Sequence, residues 1–247
     1  VGPAGETRVG VFLWFTGPPP AAALRALGAD VGTVTGEFAT ARVPLDAVEA
    51  VAALPGVRAV EAARVVRAEH DTSMRVVNVE TLRTRVGATF TGPTGACGIV
   101  AIYDSGVDLD NPDFIEAGGR HRVLAVWDQT VSGNAPAGFG YGFHCDSIAV
   151  RNRVAGVAAA CPQRDFTGHG THVAGTAAGS GRAPGNNEPA YRFTGVAPGA
   201  DIIVVKGGNA LFFENNIIDG LHWVRQVAAQ LGRPVVVNLS LGGQFGA

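Results

Sequence analysis

The 247-residue sequence is short of charged residues, aromatic residues and long apolar runs. Charged residues make up 16% and aromatic residues 7%, and no apolar run approaches the roughly 20 residues that a membrane-spanning helix needs. The net charge of −2 gives no basic surface for nucleic acid. Hydrophobic residues account for 47%, which is enough for a sizeable core. We therefore expect one or two folded domains that bind neither nucleic acid nor a membrane.

One histidine lies between two glycines at the start of a run of small apolar residues. The stretch is Asp165-Phe-Thr-Gly-His-Gly-Thr-His-Val-Ala-Gly175. The run predicts a tightly packed helix, and the hydroxyl of Thr167 can cap it. His169 would then lie in the first turn, where the helix dipole disfavours a charged imidazole. A neutral imidazole is the form that a general base needs.

An aspartate follows a near-continuous apolar run of strand length. Residues 98–103, Gly-Ile-Val-Ala-Ile-Tyr, predict a buried parallel strand. Asp104 would stand at the carboxyl end of this strand, where open α/β sheets place their catalytic groups. We therefore interpret Asp104 as the carboxylate that orients His169.

Three motifs, in this order, resemble those of the subtilisin-like serine proteases. Asp104-Ser-Gly-Val, followed by Asn111-Pro-Asp, resembles their aspartate motif, and His169-Gly-Thr-His-Val-Ala-Gly resembles their histidine motif. Residues 237–242, Val-Asn-Leu-Ser-Leu-Gly, resemble the segment whose backbone pairs with the substrate strand. The resemblance covers residue 74 to the end and implies peptide-bond hydrolysis by an Asp-His-Ser triad, with Asp104 and His169 catalytic. It also implies three substrate-binding residues, Ser240, Leu241 and Gly242.

The second half of the sequence alternates strand-like and helix-like segments. Apolar runs at 98–103, 201–206 and 235–238 predict buried strands, and apolar periodicity predicts a long helix at 214–231. This alternation predicts an α/β fold, a parallel sheet with flanking helices. The resemblance implies a subtilisin-like sheet, incomplete in this sequence, which we assign to residues 96–247.

Residues 8–69 have the segment order of a small α+β domain. Two helical segments that begin at prolines stand among four strand-like segments in the order βαββαβ, a ferredoxin-like arrangement. The unit resembles the inhibitory propeptide of the same protease family. An unrelated α+β domain would show the same order, but the position directly before the peptidase part favours the propeptide. The resemblance implies that its tail, within residues 62–69, lies in the substrate groove.

Residues 70–95 form a connector between the two domains. Apolar residues at positions 76, 79, 82 and 86 predict a short amphipathic helix over 74–86. The sequence Gly-Pro-Thr-Gly at 92–95 then predicts a turn into the first strand of the sheet.

The serine motif of the family, Gly-Thr-Ser-Met-Ala, does not occur in the sequence. Asp71-Thr-Ser-Met is a partial match, but it precedes Asp104, so we interpret Ser73 as a coincidence. Ser105 adjoins the catalytic aspartate and Ser240 belongs to the substrate segment, so neither is a plausible nucleophile. We expect the chain to be inactive alone, with the serine on the C-terminal portion of the same protease, as a second chain or a missing segment.

A non-catalytic function is the second interpretation. A truncated module could bind peptide or protein through its exposed sheet edge. The retention of both Asp104 and His169 favours the enzyme, because a binding module has no need of them. In either case the partner is a peptide or protein.

The sequence contains three cysteines, Cys97, Cys145 and Cys161. Secreted subtilisin-like sequences often carry two cysteines around an insertion before the histidine motif, and Cys145 and Cys161 flank a polar loop there. The resemblance therefore favours a Cys145–Cys161 bridge, worth about 3 kcal/mol; the alternative is three free thiols. A bridge implies an oxidising compartment, so we expect a secreted or extracellular protein.

The chemistry implied by the resemblance needs no cofactor. His169 and His172 could share a metal ligand site, but the sequence lacks the Glu of His-Glu-x-x-His, so we expect His172 to be a buried structural histidine. Asp113 matches a position that often ligates structural calcium in the family. Structural calcium is therefore allowed, although solvated turn carboxylates better explain the acidic loop, which contains Asp108, Asp110 and Asp113.

Overall fold

The computed structural model describes residues 7–68, 79–184, 189–191 and 193–242. They form a small α+β unit at the N-terminus and a larger α/β unit after it. Within these ranges no helix is long and apolar enough to cross a membrane.

The N-terminal unit is an antiparallel sheet with helices on one face. Its elements are β1 (Arg8–Phe15), α1 (Ala21–Ala26), β2 (Asp30–Thr35), β3 (Phe38–Pro44), a 3₁₀ turn (Leu45–Ala47) that continues into α2 (Val48–Ala52), and β4 (Val57–Ala62). The strand order is β2-β3-β1-β4, with every neighbouring pair antiparallel. The predicted ferredoxin-like arrangement is thereby confirmed.

The core of this unit follows from the period-two pattern of β1. Val11, Leu13 and Phe15 lie on one face of the strand and are buried. Leu24 of α1 and Val51 of α2 join the same hydrophobic cluster. The opposite face of the sheet is therefore available for contact with the rest of the molecule.

The larger unit is built on a five-stranded sheet. Its elements, together with the strand β5 that precedes it, are β5 (Val65–Ala68), β6 (Thr84–Val86), β7 (Thr89–Thr91), β8 (Ile99–Asp104), β9 (Val123–Asp128), β10 (Phe143–Asp146), α3 (Ser147–Val154), α4 (His169–Ala178), β11 (Asp201–Lys206), β12 (Leu211–Phe213), α5 (Glu214–Leu231), β13 (Val235–Leu239) and β14 (Leu241–Gly242). The sheet order is β10-β9-β11-β8-β13. Strands β9, β11, β8 and β13 are parallel, and β10 is antiparallel to β9.

Both faces of this sheet are covered by helices. Alternate residues of β8 and β11, such as Ile102 and Val204, face a cluster that includes Val173 of α4. The residues between them face a second cluster that includes Trp223 of α5. Every residue of β11 is buried, as expected for a central strand of a parallel sheet. The α/β architecture predicted from the sequence is confirmed.

Of the helix predicted over 74–86, the structure shows only a 3₁₀ turn at Val79–Thr81, and residues 74–78 lie outside the described residues. Thr84–Val86 pairs instead with Thr89–Thr91 in a two-residue hairpin. Gly87 opens that turn with a φ of 61°, which favours glycine. Val79 is buried but Leu82 and Val86 are exposed, so only the start of the amphipathic pattern packs against the protein.

The polar loop expected between the two cysteines near the histidine motif also contains a helix. Asp146 caps α3 by accepting a hydrogen bond from the backbone N–H of Ala149 at 2.7 Å. Four of its eight residues are polar, but Val150 is fully buried in the cluster that contains Val173. The cap and this packing both stabilise the helix.

Candidate active site

Asp104 and His169 are in direct contact. Asp104 ends β8 and is fully buried, and His169 begins α4 with its side chain 20% exposed. Oδ1 of Asp104 lies 2.7 Å from Nδ1 of His169, and it also accepts the backbone N–H of Ser105 at 2.7 Å. A proton on Nδ1 directed at this carboxylate leaves Nε2 as the basic nitrogen of the neutral ring.

A second carboxylate, Asp165, organises the first turn of α4. Its Oδ1 accepts the N–H of Gly168 at 3.0 Å, and its Oδ2 accepts the N–H and the hydroxyl of Thr171 at 2.8 and 2.6 Å. The predicted cap, Thr167, makes only a 3.3 Å bond to the N–H of His169. Asp165 is thus the main cap of the helix that carries His169.

These hydrogen bonds determine the charge state of Asp165. Burial by itself would raise the pKa of this carboxyl, but the bonds from Thr171, Ser105 and Gly168 outweigh it, and the pKa of Asp165 is lowered. The carboxylate is therefore ionised at neutral pH, which suits a helix N-terminus.

Ser105 joins the two halves of the site. Its hydroxyl lies 2.8 Å from Oδ1 of Asp165 and accepts the backbone N–H of Gly170 at 2.9 Å. The hydroxyl of Thr167 lies 2.8 Å from the hydroxyl oxygen of Ser105. Because the Ser105 hydroxyl is buried and committed to these bonds, it cannot be a nucleophile. The loop after Asp104 lies so close to α4 that a Cβ at Gly170 would collide with the carbonyl of Gly106.

Lys206 also holds the segment that leads into α4. It ends β11 beside Asp104, is buried, and its ammonium donates to the carbonyl of Arg164 and to Oδ1 of Asn209. Burial lowers the pKa of Lys206. The bond to Arg164 fixes the residue directly before Asp165.

The structure also contains an antiparallel three-stranded sheet that includes the tail of the N-terminal unit. Strand β5 runs between β12 and β14, with Arg67 opposite both Leu211 and Gly242, and Ala68 opposite Leu241. Leu241 and Gly242 thus pair with the tail of the N-terminal unit. Ser240 stands one residue before this pairing, and its hydroxyl lies 2.9 Å from Nδ2 of Asn238.

The family assignment comes from comparison with known proteins. The model of the Subtilase family matches residues 96–246, more than half of the chain. The chain belongs to the subtilase family.

Two curated relatives show how much of a subtilase is present. A subtilisin-like protease of Coccidioides posadasii is 31% identical over 149 residues, which cover 58% of this chain and 25% of the relative. Subtilisin E of Bacillus subtilis is 29% identical over 160 residues, which cover 63% of this chain and 30% of the relative. The chain spans less than a third of the length of these subtilases.

A solved subtilase structure has the same fold. Fervidolysin from Fervidobacterium pennivorans, described as a keratinolytic enzyme related to subtilisin, matches with a TM-score of 0.50 and 20% identity. The match covers 98% of this chain and 37% of fervidolysin. Because it spans nearly the whole chain, the likeness in fold includes the N-terminal unit of this subtilase.

The predicted disulfide of the subtilase unit is confirmed. Cys145 and Cys161 are bonded, with their Cα atoms 5.6 Å apart. Both are buried in the cluster that contains Val173 of α4. The bridge therefore ties the segment before the histidine motif to strand β10, within the same cluster as the helix that carries His169. Cys97 is exposed and free.

His172 does not have the position expected for it. The buried face of α4 contains Val173, Ala174 and Ala178, and His172 lies outside that face and is exposed. It lines a cavity of about 750 Å³ on the side of α4 that also faces Asp108. The prediction of a buried structural histidine is wrong.

No metal site is assembled by the residues that the structure describes. No three His, Cys, Asp or Glu side chains among them are placed to hold an ion. Oδ1 of Asp113, the position considered for calcium, accepts the backbone N–H of Ala183 at 2.7 Å. Calcium binding at Asp113 stays a prediction, and we assign no catalytic step to a metal.

Ser73, the serine of the partial serine motif, lies outside the described residues.

Sequence reasoning missed Asp165 and Ser105 as organisers of the site. Asp165 bonds to N–H groups two and three residues later, which is the pattern of an Asx turn. That pattern was readable in Asp165-Phe-Thr-Gly. The long-range bond from Ser105 had no comparable local signal, because the partners are 60 residues apart.

Proposed function

We propose that the protein is a serine endopeptidase for which this chain supplies the aspartate and the histidine of the triad. The observation that carries the proposal is the 2.7 Å contact between Oδ1 of buried Asp104 and Nδ1 of His169 in a subtilase chain. A carboxylate placed in this way fixes the tautomer of the imidazole and stabilises the imidazolium that forms during the reaction.

The proposed reaction uses His169 twice. Its Nε2 takes the proton of a serine hydroxyl while the serine oxygen bonds to the carbonyl carbon of the scissile peptide. The protonated ring then gives that proton to the leaving amine as the C–N bond breaks. Water repeats the sequence on the acyl-enzyme, and Asp104 remains ionised throughout. This chemistry uses no cofactor.

We place the serine outside these 247 residues, on a C-terminal portion of the same protease that is either continuous with this chain or a second chain. Two observations support this placement. The Gly-Thr-Ser-Met-Ala pattern is absent from the sequence, and the matched relatives are more than three times as long as the matched segment. Strand β13 offers a place for that portion, because it is at the edge of the sheet and Val236 is 71% exposed. The 247 residues alone are then inactive.

We propose that residues 8–69 are an inhibitory propeptide, residues 70–95 a connector, and residues 96–247 the first part of the peptidase domain. Support comes from β5, which is held between β12 and β14 in the extended, antiparallel form that a peptide substrate would adopt. Ser240, Leu241 and Gly242 would then bind substrate backbone once the tail leaves. Residue 69 lies outside the described residues.

The Cys145–Cys161 bridge supports a secreted or extracellular location, since such bonds persist in oxidising compartments. The proposed substrate class is peptides and proteins. Structural calcium, if bound, would act on stability and not in the reaction.

The test is fluorophosphonate labelling of the protein in its longest form, with and without His169→Ala. We expect a labelled serine outside residues 1–247, and a loss in the variant on the order of 10⁶, the size known for subtilisin. His222→Ala, a histidine of α5, is the matched control and should keep its labelling. A label on Ser105 or Ser240 would contradict the proposal.

A different outcome identifies the alternative function. If the protein neither labels nor hydrolyses peptide, and its intact mass shows no serine-bearing portion, it is a non-catalytic module that binds peptide through the sheet edge.

A further inference from the structure

A buried carboxylate lies between the N-terminal unit and α5. Asp219 of α5 is only 2% exposed. Its Oδ1 faces the N-terminal unit and accepts the N–H and the hydroxyl of Thr33 at 2.9 and 2.8 Å, together with the hydroxyl of Thr40. Its Oδ2 faces the larger unit and accepts the hydroxyl of Tyr141 at 2.8 Å. The two carboxylate oxygens therefore accept hydrogen bonds from different units.

The surroundings of Asp219 favour its role as a hydrogen-bond acceptor. Burial raises the pKa of Tyr141 well above its usual range, so its hydroxyl keeps the proton that it donates. The guanidinium of Arg42 lies 3.8 Å from the centroid of the Tyr141 ring and donates to Oδ1 of Asn216 at 3.0 Å. Strands β2 and β3 thus place one cation and two threonines against the same two turns of α5.

Two glycines of the N-terminal sheet permit this close approach. A Cβ at Gly32 would collide with the carboxylate of Asp219, and a Cβ at Gly10 would collide with the side chain of Asn215. Neither glycine has a positive φ, so backbone conformation does not require glycine at either position. Glycine within a strand weakens the strand, and here that loss is explained by contact with α5.

We propose that Asp219 is the recognition residue by which the larger unit selects its own N-terminal unit. The surface it recognises is a β2–β3 hairpin that presents Thr33 and Thr40 and has glycine at position 32. The inference rests on the proposed function for the identity of the N-terminal unit as a propeptide. The contact itself is independent of any peptidase activity, and so is its test.

The effect of removing Asp219 follows from the donors it leaves behind. Without the carboxylate, Thr33 and Thr40 lose a charged acceptor in a buried interface, and each unpaired buried donor disfavours docking. We expect Asp219→Ala to lower the docking equilibrium of the two units by at least about 100-fold. Asp219→Asn keeps one oxygen and the shape, so its loss should be about tenfold.

Native-state hydrogen exchange of the 247-residue chain measures this equilibrium. The N–H of Glu214 is bonded to the carbonyl of Arg64, between the units, at 3.0 Å, and it does not contact Asp219. Its protection reports docking. The amides of β1 that pair with β3 report whether the N-terminal unit stays folded. Asp46→Ala, which removes an exposed carboxylate of that unit, is the matched control.

The expected result is a loss of protection at Glu214 by at least about 100-fold in Asp219→Ala and in Gly32→Ala, with β1 protection unchanged. Asp46→Ala should change neither reporter. Unchanged protection at Glu214 in Asp219→Ala would overturn the proposal. If Gly32→Ala unfolds its own unit, β1 protection falls too, and the Asp219 variants decide, because they leave the sequence of that unit intact.

Discussion

The hydroxyl of Ser105 lies 2.8 Å from Oδ1 of Asp165 and joins the loop after Asp104 to the turn before His169. The two catalytic candidates are 65 residues apart in sequence, and each sits at the end of a different element. A hydrogen bond between their neighbours therefore sets the distance between them independently of the Asp104–His169 contact. Asp165 acts through His169 and is a positioning residue.

Asp165→Asn should slow peptide hydrolysis without unfolding the protein. The amide keeps one acceptor but loses the charge that several N–H and O–H donors share, so the first turn of α4 shifts. A displacement of about 1 Å at a catalytic group reduces rate by about 10²-fold, and we expect a loss of 10- to 100-fold in kcat with KM little changed. The measurement is steady-state hydrolysis by the longest form of the protein.

Asp108→Asn is the matched control for that experiment. Asp108 is an exposed carboxylate in the loop after Asp104, and its Oδ1 accepts the N–H of Asp110. The control should keep full activity. Equal losses in both variants would show that loop charge, and not the position of α4, determines the rate.

Asp104→Asn and His172→Ala should separate the catalytic role of the site from stability. An amide at position 104 favours the wrong imidazole tautomer, so we expect a loss of about 10⁴ in kcat. His172 is exposed, and its truncation should change the free energy of unfolding by no more than about 0.5 kcal/mol. Hydrolysis assays and urea denaturation test the two statements. Loss of peptide hydrolysis in His172→Ala would show that His169 is wrongly assigned as the general base.

The central elements were predictable because their patterns are strong. Strand β11 and helix α5 have the predicted bounds, since a fully buried strand reads as a continuous apolar run and an amphipathic helix reads as a period of 3.6. The Asp104–His169 pair was predictable from three motifs in order. For the strand, the helix and each single motif, the information is local to a short segment, whereas pairing Asp104 with His169 also needed the order of the three motifs.

The misses have a different physical origin. The pattern at 74–86 had helical periodicity, but Leu82 and Val86 meet no apolar surface, and the Gly87 turn determines the local structure. His172 was placed on the wrong face because the position of the buried stripe depends on how α4 packs. The contact between Thr33 and Asp219 joins residues 186 positions apart, and no local pattern signals it.

Stability should fall in mild acid because of His121. Nδ1 of His121 accepts the N–H of Val123 at 3.0 Å, and Nε2 lies 2.8 Å from the carbonyl of Leu109, so the ring is held neutral. Burial lowers the pKa of His121, against a smaller raising effect of the bond to Leu109. The unfolded state therefore binds the proton first as the pH falls below about 6.5, and the free energy of unfolding decreases.

The measurement for His121 is urea denaturation at pH 7.5 and 5.5. Wild-type protein should lose stability between the two, and His121→Gln, which does not titrate, should lose less. Burial also lowers the pKa of His144, so part of the pH dependence remains in the variant. An identical pH dependence in both proteins would remove His121 from the explanation.

Removing the Cys145–Cys161 bridge should lower the free energy of unfolding by about 3 kcal/mol, the value for a loop of this length in the chain-entropy model. The bridge spans 16 positions, and both cysteines are buried beside α4, so the Cys145→Ser/Cys161→Ser variant also introduces two hydroxyls into an apolar cluster. Cys145→Ala/Cys161→Ala avoids that second effect and is the better measure.

The control for the bridge is Cys97→Ser, which changes an exposed free thiol and should be neutral. Urea denaturation with and without reductant decides the matter, because reductant should destabilise the parent but leave the double-alanine variant unchanged. If thiol titration shows the bridge reduced while the parent keeps its full stability, then packing alone holds the segment before His169.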